Sequence, residues 1–244
     1  LNKKTNFTQQ DTLRGSITPE RIWWDLTFYH LDVQVFPETK SIKGKNTIKY
    51  TVLSTNNSMQ IDLQAPLKIT KVTQNGKELK VVSNGNAHFI HLTKPQNIGD
   101  KNAIVVHYEG KPKEAVNAPW DGGFSWKKDK NGNHFIATSC QGLGASVWWP
   151  NKDHMYDEVE RMDISVRVPS NLMDISNGQL KKVEKHNDNT TTYHWGVVNP
   201  INNYGVNVNI GDYVHFSEKY SGEDGIIDMY YSVLKDNLEK AKKQ

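Results

Sequence analysis

Between Leu26 and Leu53 apolar and polar positions alternate. Tyr29, Leu31, Val33 and Val35 fall on one face of an extended chain and His30, Asp32 and Gln34 on the other, and Ile48, Tyr50 and Val52 repeat the pattern. A period of two sends successive side chains to opposite sides of a strand, so this stretch predicts two strands with one buried face each. Pro37-Glu38-Thr39-Lys40 between them reads as a hairpin connection. Met59, Ile61 and Leu63 continue the alternation, followed by strands over 67–72, 79–82 and 88–92. Asn75-Gly76 is suited to a type I′ turn, and Asn84-Gly85-Asn86 marks another. Further strands are predicted at 104–108, 134–138, 162–168, 191–195, 204–210 and 214–216. With turn signals at short intervals and no helical periodicity before the last segment, the fold class is all-β.

The tail departs from this grammar. Tyr220 to Gly225 shifts in composition as a linker would, Ile226 to Ser232 reads as one more strand, and Leu234 to Lys243 turns helical in character. Asp236/Lys240 and Glu239/Lys243 stand at the i, i+4 spacing that favours a helix. The pattern runs on to Gln244 with no stop signal, as a truncated or a frayed helix would.

Composition narrows the function classes. A chain of 244 residues can bury a sizeable core, and a net charge of +3 without an arginine cluster argues against a nucleic-acid partner. No apolar run reaches the length of a membrane span. The polar start from Leu1 suits a mature terminus left by signal-peptide removal, hence a periplasmic or secreted protein, or else a cloning boundary. A single cysteine, Cys140, excludes an internal disulfide and reads as a packed side chain. None of the nine histidines is followed by Glu, so the zinc motif His-Glu-x-x-His does not occur. His88 and His91 on a strand point to opposite faces, and no metal site is assigned.

Two features invite a functional reading. Trp120, Phe124, Trp126, Trp148 and Trp149 concentrate aromatic surface that would either stack sugars or plug the ends of a β core. On a strand, Trp148 and Trp149 would face opposite ways. The run Cys140 to Asp153 places Gln141, Gly142 and Gly144 beside those tryptophans. An amide donates and accepts without carrying charge, which suits grasping the amino end and adjacent backbone of a peptide, and the glycines permit close approach.

The ordered series Tyr29-His30-Leu31-Asp32-Val33, Ile42-Lys43-Gly44, Ile61-Asp62-Leu63, Val106 to Gly110, Gly122-Gly123-Phe124, Cys140 to Asp153, Ser176-Asn177-Gly178, Trp195 and Pro200 to Tyr204 resembles the N-terminal domain of the aminopeptidase N and leukotriene hydrolase family of zinc metallopeptidases. The resemblance implies a large, twisted, saddle-like β assembly that packs on a catalytic domain. That partner domain would hold zinc with three protein ligands and use a glutamate as general base. It further implies that Gln141 reaches the substrate's N-terminal residue and that Gly142 borders the pocket for its side chain. Ser146 and Asn151 depart from the Arg and Cys that many members carry, and Ser146 with Trp149 is closest to exported bacterial members.

On this reading residues 1–20 are a polar N-terminal segment and 21–220 the β-rich domain, with 221–244 beginning a truncated, α-containing catalytic domain. The parent would be a zinc aminopeptidase, its metal ligands lying elsewhere and this segment alone inactive, with peptide and its own catalytic domain as partners. The alternative is a stand-alone β-sandwich module that binds carbohydrate or protein.

Overall fold

A computed structural model of the chain describes residues 6–118, 120–140, 142–223 and 225–243. Two short helices, α1 (Gln9–Gly15) and α2 (Pro19–Ile22), come first. Then follow β1 (Trp24–Phe36), β2 (Ser41–Val52), β3 (Ser58–Asp62), β4 (Lys68–Gln74), β5 (Lys77–Glu78), β6 (Lys80–Asn84), β7 (Ala87–His91) and β8 (Lys101–Gly110). The second half holds β9 (Gly123–Lys128), β10 (His134–Ser139), β11 (Arg161–Pro169), β12 (Met173–Ser176), β13 (Gln179–Lys185), β14 (Thr190–Val197), β15 (Val208–Gly211), β16 (Tyr213–Gly222), β17 (Gly225–Leu234) and a last turn of helix, α3 (Leu238–Ala241). The chain is all-β in class, built from several open sheets.

The alternation over 26–53 becomes the antiparallel pair β1 and β2, in register from Trp24↔Val52 to Phe36↔Ser41. Tyr29, Leu31, Val33 and Val35 are buried, as are Ile48, Tyr50 and Val52. β1 also pairs with β11 in parallel, and an eight-stranded sheet results in the order β13-β14-β11-β1-β2-β8-β4-β5. A four-stranded sheet, β12-β15-β10-β9, and a three-stranded one, β3-β7-β6, contribute their apolar faces to the same core. Asn75 (φ 50) and Gly76 (φ 77) both adopt the positive φ of a type I′ turn between β4 and β5.

Four local expectations are corrected. The sequence gives no helical periodicity ahead of the tail, yet α1 forms because Thr8 and Asp11 build a capping box. Asp11 N–H donates to Thr8 Oγ1 (3.3 Å) while Thr8 N–H donates to the Asp11 carboxylate (2.9 Å). Trp148 and Trp149 do not lie on a strand. They close a 3₁₀ turn over Ala145–Val147, and both are fully buried. Tyr204 sits in a second 3₁₀ turn, Asn203–Gly205, begun by the Asn202 side chain accepting from Tyr204 N–H (3.2 Å), so the strand there starts only at Val208. At the tail, Tyr220, Ser221 and Gly222 pair with Ile227, Ile226 and Gly225 at the end of the hairpin β16–β17 instead of forming an open linker, and the helical stretch shortens to a 3₁₀ turn at Lys235–Asn237 plus α3. Neither of these last elements buries a residue, and a helix without a packed face is marginal in water.

A candidate substrate wall

The segment from Gly142 to Asp157 hydrogen-bonds to strands of the eight-stranded and three-stranded sheets and packs a ring against the four-stranded one. Trp149 meets Tyr29 of β1 edge-on at 5.1 Å, and Trp148 meets Phe124 of β9 at 6.0 Å. Asn46 of β2 donates to Pro150 O (2.9 Å), and Asp62 of β3 exchanges backbone hydrogen bonds with Asn151 (2.9 and 3.2 Å). Lys152 is wholly buried. Its Nζ donates to Asp157 (2.5 Å) and to Trp24 O (2.7 Å), and lies 3.9 Å from the centre of the Trp24 ring. Burial lowers this lysine to about 8, against the opposing pull of Asp157.

Tight turns at the head of this segment expose part of its backbone. Gly144 N–H donates to Cys140 O (2.9 Å), with Gly142 at φ 73 and Gly144 at φ 82. A side chain at Gly144 would collide with the Asp153 carboxylate, which accepts from Ala145 N–H, Ser146 N–H and Ser146 Oγ (3.3, 3.2 and 2.5 Å). Asp153 thus caps the 3₁₀ turn. Gln64 holds the other side, donating to Leu143 O (2.6 Å) and to Ser146 Oγ (3.0 Å). Gly142 is different in kind: nothing lies within 4 Å of where its Cβ would stand. Its open side faces a cavity of about 1170 Å³.

Gln141 falls outside the described residues. Its neighbours Cys140 and Gly142 both line the cavity. Cys140 is buried and its thiol is pushed up to about 12 by that burial, so it packs and does not attack.

Segments far apart in sequence meet around this cavity. Asn203 donates to Lys152 O (2.7 Å) and Asn151 Oδ1 (3.2 Å), bringing the Pro200 to Tyr204 run against the tryptophan turn. Asn177 Oδ1 accepts from Asn207 N–H (2.9 Å) and Ser176 Oγ donates to Asn207 O (2.6 Å), drawing in the Ser176-Asn177-Gly178 run. Most of the aromatic concentration does not form a surface: Phe124, Trp148 and Trp149 are interior, Trp126 is half-buried and stacked on Phe124 at 5.0 Å, and Trp120 stands apart and exposed. His88 and His91 do diverge, with His88 buried and bonded to Ser83 and Leu63 O (2.8 and 3.1 Å). Among the described residues no three His, Cys, Asp or Glu side chains come together as a metal site.

What the sequence reading missed is the first stretch of chain. Phe7, Asp11, Arg14 and Gly15 form one side of the cavity, and Arg14 Nη2 donates to Gly142 O (2.9 Å). The Thr8-x-x-Asp11 spacing was the available signal.

The model of the peptidase M1 N-terminal domain matches residues 26–204. No curated protein gives a significant sequence match. Among solved structures, a mutant M1 zinc metallopeptidase from Deinococcus radiodurans bound to a Tyr-Ser-Ala substrate is similar to this chain at TM-score 0.73 and 16% identity, over 90% of this chain and 50% of that one. A two-domain M1 zinc metallopeptidase mutant bound to L-arginine aligns at TM-score 0.74 and 17% identity, over 90% and 50%. Another, bound to L-tryptophan, aligns at 0.73 and 16%, over 89% and 50%. The chain spans about half the length of these structures, and at such identity the likeness speaks for the fold.

Proposed function

The chain belongs to the peptidase M1 N-terminal domain family, and from that premise we propose that it is the substrate-facing β portion of an exported zinc aminopeptidase, which removes residues from the amino end of peptides. Residues 21–220 form the β domain on this reading, and residues 221–244 lead into the catalytic domain that supplies zinc, its ligands and the general base. The task of the present residues is binding and exclusion: Gln141 takes the substrate's terminal amine, Gly142 leaves room for the first side chain, and the surrounding wall keeps folded chains out. The observation that carries the reading is the cavity of about 1170 Å³ beside the open Gly142, where Cys140, Gly142, Gly144 and Asp153 face the run from Asn202 to Asn207. Relatives holding a tripeptide and two dissimilar amino acids, arginine and tryptophan, support a first-residue pocket of broad tolerance. The nearness of Ser146 and Trp149 to exported bacterial members supports the location.

The test uses the parent protein. Its open reading frame should continue past Gln244 into a zinc-ligand motif, and Gln141→Ala should lower kcat/KM for aminoacyl substrates by about 10- to 100-fold with little change in Tm. The 244-residue chain alone should turn over nothing. Wild-type kcat/KM in Gln141→Ala would remove Gln141 from the site, and a parent without metalloprotease sequence would end the proposal.

A further inference from the structure

We infer that the N-terminal strap, residues 6–16, is a working wall of the substrate cavity and that Arg14 is a positioning residue for the backbone of Gly142 on that wall. The inference rests on the reading of the cavity given above. The family match begins only at residue 26, so the strap lies outside the matched domain.

Its attachment is unlike that of a loose terminus. The last carbonyls of α1 would ordinarily face water, because a helix leaves its final C=O groups without internal partners. Here Leu13 O accepts from Gln60 Nε2 (3.1 Å), Arg14 O and Ser16 O from Arg21 Nη1 (3.1 and 2.7 Å), and Gly15 O bonds His154 Nε2 (3.3 Å). Both Gln60 and Arg21 are fully buried, and Arg21 also holds the buried Asp62 at 2.5 Å. A buried guanidinium left short of acceptors is costly. Both acceptors of Arg21 Nη1, Arg14 O and Ser16 O, are supplied by the strap. At the other end, Gln10 donates to Asn84 O (3.0 Å) and accepts from Asn86 N–H (3.1 Å), tying α1 to the β6–β7 turn.

Held at both ends, the strap puts Arg14 against the backbone of Gly142. The side chain of Arg14 is exposed, and its bond to Gly142 O links the strap to that turn. Gly142 has no side chain to fix it and sits at φ 73, open on its other side. A charged donor on its carbonyl restrains the peptide plane that follows Gly142. Loss of that donor leaves the chemistry intact and loosens the backbone that borders the cavity, so the effect belongs in KM.

Two measurements separate this from the reading it rests on. In the ¹⁵N-labelled 244-residue chain, Arg14→Ala should shift the Gly142 and Gly144 amide resonances and speed their hydrogen exchange by about tenfold, with the Trp148 and Trp149 indole signals and Tm unchanged. Arg14→Lys, which keeps one cationic donor, should recover part of the protection. In the parent peptidase Arg14→Ala should raise KM by about tenfold with kcat within about twofold. Unmoved glycine amides, an unchanged KM, or a Tm fall of many degrees would each overturn the role of Arg14. A parent with no aminopeptidase activity would instead defeat the proposed function, and the amide measurement would still decide whether Arg14 orders the turn.

Discussion

At the scale of single residues, the least obvious feature is Asp174 on β12, fully buried, with one oxygen accepting from Trp195 Nε1 (2.9 Å) and the other without a hydrogen-bond partner. Burial pushes its carboxyl well above the usual range, and the Trp195 bond opposes that only in part. A carboxyl raised on folding binds its proton more tightly in the folded state. Its contribution is thus full below the unfolded value of about 3.9 and is lost as pH rises above that value toward the folded pKa. Asp174→Asn should remove this dependence. Urea unfolding from pH 4 upward should show the variant gaining on the native chain by up to about 1.4 kcal/mol per pH unit, and equal slopes for the two would show the carboxyl to be ordinary. Residue identity was legible only in part. Cys140 as a packed thiol and His88 diverging from His91 could be read from the sequence, because burial habits and strand periodicity are local. Arg14 could not be, since its partner lies on a turn more than a hundred residues away.

Among the elements, the long strands announced themselves and the 3₁₀ turns did not. β1 and β2 alternate cleanly because one face meets the core and the other does not. At Ala145–Val147 every side chain is buried, so no alternation survives, and the geometry is set by Gly144 and a carboxylate eight residues on. Lys152 holds that same connection to β1 by burying a charge. Lys152→Met would take the charged donor from Asp157, leaving it the Leu26 N–H (3.2 Å), and the Lys152 donor from Trp24 O, and removal of one partner of a buried pair costs about 3–5 kcal/mol. Chemical denaturation should register a loss of that size; a loss below about 1 kcal/mol would place Asp157 in contact with water in the folded state.

For the molecule as a whole, one core gathers faces of the large sheet and both smaller ones, whereas the hairpin β16–β17 stands outside it. Ile226, Ile227 and Tyr230 are exposed, and among the described residues from Tyr213 to Leu234 none is buried. Native-state hydrogen exchange should find the hairpin amides at least about 100-fold faster than those of β1 and β11, because protection follows burial and packing. Uniform protection would mean that the hairpin is part of the cooperative unit. Apolar side chains are also bare at the cavity, where Phe7, Met155 and Tyr204 are 84, 72 and 55% exposed. In the proposed parent they would meet substrate or the second domain. The all-β class followed from strand periodicity, while the position of the cavity followed only from the family resemblance and the contacts that bring its segments together.

One short run, Cys140 to Asp157, both ties the three sheets together and borders the cavity. A protein built this way has little liberty to retune its ligand by changing that run, since most replacements there would loosen the architecture before they altered selectivity. Variation is left to places outside that architecture: the vacant space over Gly142 and the outward side chains of the strap other than Arg14. Diversification of such a protein would be expected at those two spots first.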